Sequence, residues 1–242
     1  MRFLLRLCAF ALIGASLQAQ TPQSYPPMQG KAEYLGTIAP LRDLSNPDAR
    51  PATPAVKMWI RPNRFFQNDL NNPTPMPQTR DPLFSPKNKD AGVESEPEIK
   101  FRFGLEGLRE PNITPPDPVG DVGEAHYVQA VNASGGARLM IWNKEGDPVL
   151  GPIHSSNIWA QVGGQSIGDP VIQYDHDAKR WLFMEMRGFG NNQLLVAISD
   201  SQDPTGGWQA WTINTIGFPD YPKLYVWPNA YLITVNEIVG GN

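Results

Sequence analysis

The sequence predicts an all-β protein: a β-propeller, incomplete in this chain at about two and a half blades, behind a proline-rich extended leader. Two observations carry that expectation. Asp121, Asp169 and Asp220 recur at intervals of 48 and 51 residues, and each opens a polar turn followed by an apolar, aromatic-rich run. The runs are GDVGEAHYVQAVN (120–132), GDPVIQYDHDAKRWLFMEM (168–186) and PDYPKLYVWPNAYLITVNE (219–237). A period of about 40–50 residues with several short strands per unit is the mark of a propeller blade. The second observation is composition: Val, Ile, Tyr, Trp and Phe, which favour a pleated, half-buried surface, crowd these runs. Helix signals are almost absent, with a single turn expected at EGLRE (106–110).

Residues 1–19 read as a secretory signal peptide. Arg2 and Arg6 flank an apolar stretch from Leu7 to Leu17, and Ala19 offers a small residue for cleavage. The stretch is too short to span a membrane. Cys8, the chain's only cysteine, lies inside it. The residues before Cys8 do not fit a lipoprotein cleavage box, so export without lipidation is expected. The mature chain then has no disulfide and depends on its core, or on bound ions, for stability. Without Arg2 and Arg6 it carries 18 basic and 24 acidic residues, a formal charge of −6. No basic face is clustered, which argues against nucleic acid as a partner. No other stretch is apolar enough for a membrane span.

Residues 20–98 read as the leader or linker. Eighteen of the 25 prolines lie between Pro22 and Pro118. Proline removes a backbone donor and bars the residue before it from the helical region. The leader is expected either to be disordered or to dock locally through the apolar anchors VKMWI (56–60) and RFF (64–66).

From residue 99 the pattern becomes short strands separated by turns. Strands are expected at FRFGL (101–105), HYVQAVN (126–132), ARLMIWN (137–143), PVIQYD (170–175), RWLFMEM (180–186), QLLVAIS (193–199), WQAWTI (208–213), KLYVW (223–227) and AYLITVN (230–236). Blades are placed at about 121–168, 169–219 and 220–242, the last truncated. A propeller closes with about four to eight blades, so the remaining blades of a longer chain are expected as partners.

Several motifs bear on function. The aspartates 121, 169 and 220 are candidate catalytic carboxylates, and Asp169, followed by Pro170, is the strongest. Their recurrence in every unit also makes them blade markers. Asp175 and Asp177 flank His176 on a turn and are the candidate metal ligands. No cofactor is expected beyond Ca²⁺ held by such oxygen ligands, and the calcium-loop spacing is missing. His126, His154 and His176 lack the convergence a zinc site needs. Asn112 and Asn132 begin glycosylation sequons, which a bacterial export signal discounts. Of the tryptophans, Trp142, Trp159, Trp181, Trp208, Trp211 and Trp227 suit packing between blades, and one or two left exposed would suffice to stack on sugar rings.

SQDPTGGW (201–208) resembles the Asp-box of sialidase-type propellers, with its glycine one place late. The resemblance implies a structural role for Asp203, Gly206 and Trp208. Asp169-Pro170 is similar to the Asp-Pro that opens inner strands in arabinanase- and fructosidase-like glycosidases, where the carboxylate faces a central cavity. NITPPDPVGDVGEAHYVQAVN, LMIWNKEGDPVLGP, GDPVIQYD and FPDYPKLYVWPNAY occur in order over residues 112–231. Together they resemble large exported bacterial β-propeller proteins of unassigned function. The expected function is a secreted or envelope-surface binding module for extracellular carbohydrate or protein. The alternative is a glycoside hydrolase or lyase using carboxylates in the central cavity.

Overall fold

The computed structural model describes residues 32–49, 104, 106–110, 113–188 and 190–239. The expected signal segment, both expected apolar anchors and most of FRFGL lie outside those residues. The chain is all-β, and every strand pairing among the described residues is antiparallel. Strands β2 (Val119–Val122), β3 (His126–Ala133), β4 (Gly136–Asn143) and β5 (Pro148–His154) form a first sheet in sequence order. A second sheet follows from β6 (Ser166–Asp175), β7 (Arg180–Arg187), β8 (Gln193–Ser199) and β9 (Trp208–Asn214). Strands β10 (Phe218–Trp227) and β11 (Ala230–Ile238) make a third, two-stranded sheet.

Alternation along β7 and β8 explains the layering. Trp181 and Phe183, with Leu195 and Ala197, join Val128, Ala130, Leu139, Ile141 and Ile153 of the first sheet in one core. The alternate residues Leu182, Met184, Met186, Leu194 and Val196 face the other way and meet Leu224, with Val226, Ile233 and Val235 packed beside it. A strand buried on both faces reads as a continuous apolar run rather than an alternating one, which is how RWLFMEM and QLLVAIS read. Burying side chains as large as Phe183 contributes about 2–3 kcal/mol each.

The expected strands from HYVQAVN to AYLITVN that fall in the described residues are all present. Three strands and a helix go beyond them. One is β1 (Glu33–Ile38), which lies in the proline-rich stretch and pairs with the outer strand β9. Ile38, at the end of β1, is fully buried, and a 3-10 turn at Leu41–Asp43 buries Leu41 as well. β2 and β5 were not anticipated because glycine and proline interrupt their apolar pattern. The helix α1 (Ser155–Trp159), with 3-10 turns at Leu41–Asp43 and Ala160–Val162, departs from the near absence of helix signals, whereas residues 106–110 form no turn. The cap of α1 is unusual: the His154 Nδ1 accepts the Ser156 amide at 3.2 Å, a role commonly taken by Ser, Thr, Asp or Asn. Gly163, at φ 67°, ends the 3-10 turn that follows. No helix among the described residues is long and apolar enough to cross a membrane.

Candidate functional site

Three residues that each precede a proline adopt left-handed backbone: Asp117 (φ 39°), Asp169 (φ 52°) and Tyr221 (φ 51°). Residues before proline favour extended backbone, and non-glycine residues rarely take positive φ. The three stand 52 residues apart, 117 to 169 and 169 to 221; Asp117 lies two residues before β2, and Asp169 and Tyr221 are each the fourth residue of β6 and β10. They line one cleft together with Val119, Pro170, Pro222 and Lys223. The repeat register is therefore acid–proline, acid–proline, tyrosine–proline. The spacing through Asp121, Asp169 and Asp220 mixed three structural positions, since Asp121 lies four residues after Asp117 and Asp220 one before Tyr221.

Asn132 joins the first two of these positions. Its Nδ2 donates to Asp117 Oδ2 at 3.1 Å and to Asp169 Oδ1 at 3.3 Å. Its Oδ1 accepts the Asp169 amide at 2.8 Å. Burial pushes the Asp169 carboxyl above the usual aspartate range; the Asn132 hydrogen bond opposes this, the charges of Asp117 and Asp220 add to it, and Lys223 pulls it back. The Lys223 Nζ lies 3.5 Å from the centre of the Tyr221 ring, a cation–π contact. Tyr221 is 59% exposed. The cleft thus offers two carboxylates held on a shared donor, a lysine, and an aromatic ring at its rim.

The other sequence candidates stand elsewhere. Asp121 accepts the Val122 amide on Oδ1 and the Tyr174 amide on Oδ2, both at 2.8 Å, and so ties the first sheet to β6. Asp220, in β10 opposite Asn236, lies near enough to the cleft to act on Asp169. Asp175 accepts the Asp177 and Ala178 amides on Oδ1 and the Tyr231 hydroxyl on Oδ2, so its oxygens close a turn and tie β11 to β6. No group of three metal-ligating side chains converges among the described residues. His154 is buried as the helix cap, and His176 packs edge-on against Tyr174.

In the loop between β8 and β9, Asp203 accepts the Thr205 amide at 2.9 Å and hydroxyl at 2.7 Å. Burial raises the Asp203 carboxyl, but the two Thr205 bonds and Arg42 outweigh it and hold it low. Trp208 is buried and donates its indole N–H to the Pro204 carbonyl at 3.1 Å, and Gly206 donates to the Asp203 carbonyl. Trp142, Trp159 and Trp181 are also buried, while Trp227 is 62% exposed.

Asp117, Asn132, Tyr221 and Lys223 escaped the sequence reading as site residues. Asp117 was hidden in the proline-rich run PPDPVGD, although an alignment on acid–proline would have found it. Asn132 was visible only as a sequon, and at 1% exposure it is closed to glycosylation in the folded chain. No family model, curated protein or solved structure matches this chain.

Proposed function

We propose that the chain is an exported carbohydrate-binding module, acting outside the cell or at the envelope surface. In this reading its stacked sheets are consecutive blades of a β-propeller, and the cleft between Asp117, Asp169 and Tyr221 takes the ligand. The 52-residue register supports the blade reading. So does the sequence-order pairing of β2–β5 and of β6–β9, to which β1 adds an outer fifth strand, because a propeller adds one such meander per repeat. The cleft is the observation that carries the binding reading. Sugars present hydroxyl donors, which carboxylates accept, and apolar ring faces, which stack on aromatics. The mature chain's negative charge suits a neutral rather than an anionic glycan.

Calorimetric titration with neutral oligosaccharides tests the proposal. Binding is expected, weakened about tenfold by Tyr221→Ala and retained within about tenfold by Asp169→Asn, which keeps an acceptor oxygen. Absence of binding to any neutral glycan, with the fold intact, overturns it. A second reading, glycoside hydrolysis or elimination, is favoured by one feature: two carboxylates on one nitrogen, with the proton affinity of Asp169 raised by burial. Release of reducing ends or unsaturated sugars by the wild type, abolished in Asp169→Asn while binding persists, would establish it.

A further inference from the structure

Asn132 closes the far end of β3 and is almost wholly buried. Its backbone amide donates to the Pro116 carbonyl at 2.8 Å, which pins the chain just before Asp117. A carboxamide has two N–H donors and one acceptor oxygen. This side chain's bonds run to the two acid–proline positions, one just before β2 and one in β6. The neighbouring glycine permits the approach, since a Cβ on Gly168 would lie 2.7 Å from the Asn132 Oδ1.

We propose that Asn132 is the positioning residue of the cleft, fixing the separation of the Asp117 and Asp169 carboxylates and thereby the hydroxyl pattern the site accepts. This rests on the cleft being the carbohydrate site proposed above. The chemistry favours a neutral amide at this place. Asp117 and Asp169 repel each other, Asp220 adds to the repulsion, and Lys223 is the cation that offsets it at Asp169. A shared neutral donor holds both carboxylates at fixed places without cancelling the charge of either. An aspartate at 132 would add a like charge, and an alanine would leave the Asp169 amide without its acceptor.

The repeat sharpens the assignment. YVQAVN (127–132) and YLITVN (231–236) place Asn132 and Asn236 in matching runs 104 residues apart, twice the repeat. In the second sheet Met186 stands across from Gly168 and has no side-chain amide to donate. The side-chain bridge between acid–proline positions thus belongs to the junction of the first two sheets.

Carboxyl titration followed by NMR on the full chain provides the test, together with oligosaccharide affinity as a function of pH. In Asn132→Ala the Asp169 midpoint should move upward. Affinity should fall about tenfold, with its pH profile moving in step with the midpoint. Asn132→Ser, whose hydroxyl can serve one carboxylate, should fall between. If neither variant folds, the wild-type Asn132 side-chain N–H signals must still track the Asp169 titration. An unmoved midpoint in a folded variant overturns the inference, as do wild-type signals that ignore that titration. A midpoint that moves in a protein that binds no glycan leaves the positioning role standing and removes the carbohydrate reading instead.

Discussion

Gly168 measures how closely the first two sheets approach at the cleft. At φ 113° it adopts backbone closed to most side chains, and an added Cβ would meet Asn132 Oδ1 at 2.7 Å and the Gly136 carbonyl at 3.2 Å. Gly168→Ala should therefore cost about 3 kcal/mol, combining strain with collision. Gly190, at φ 83°, has open space around its Cβ direction, so Gly190→Ala should cost only about 1 kcal/mol. Urea unfolding of the two variants decides it, and equal losses would mean that the contact at 168 relaxes freely. The same residues show what the sequence could reveal at this scale. Asp169 was legible because proline follows it in a strand-opening pattern. Asp121 was misaligned with it because a shared Gly-Asp pair outweighed the proline register. Asn132 reaches a partner 37 residues away, and such a bridge leaves no spacing in the chain to read.

At the scale of elements, two ties decide how the strands are held. Glu185, on β7, is fully buried and accepts hydrogen bonds from Ser155 and Trp159 of α1. Burial pushes its carboxyl up to about 7, against the pull of the Trp159, Ser155 and Ser166 donors. The folded chain thus keeps a proton that the unfolded chain releases from about pH 4.5 upward. Stability from this group is complete below that value and is lost as pH rises through about 7, a change on the order of 3 kcal/mol. Glu185→Gln should flatten that part of the stability profile in denaturant titrations between pH 4 and 8, and an unchanged slope would exclude the assignment. The second tie is the N-terminal arm. β1 lies on β9, the Leu41 and Arg42 amides donate to the Gly206 and Thr205 carbonyls, and Asp48 pairs with Arg138 of the first sheet. Ile38→Ala and Leu41→Ala should each cost about 2–4 kcal/mol, because both side chains are buried. Arg42→Ala should cost at most about 1 kcal/mol, since its ion pair with Asp203 is exposed. Strands with continuous apolar runs were legible in advance. β1 was not, because EYLGTI is short, is broken by glycine, and pairs with β9, about 170–180 residues away.

Across the whole molecule, burial grades from the second sheet outward. β7 and β8 contribute to both cores, whereas most of β10 and β11 is half-buried or exposed, with Tyr225, Trp227, Leu232 and Ile238 among the exposed large side chains. A two-stranded sheet is marginal on its own and takes its stability from what it packs against. For β10–β11 that support is Leu224 with its neighbours, and the Tyr231 hydroxyl donating to Asp175 at 2.9 Å. Burial and the Asp175 carboxylate together push the Tyr231 hydroxyl up to about 12, so it stays a donor across the physiological range. Hydrogen exchange should accordingly find β10–β11 opening first, by local unfolding, and β7–β8 opening only with the whole chain. Tyr231→Phe removes one hydrogen bond, about 1 kcal/mol, which should speed exchange in β10–β11 about fivefold and leave β7–β8 unchanged. Equal acceleration in all four strands would show that the third sheet unfolds only with the rest. The graded stability would then give way to a single cooperative unit.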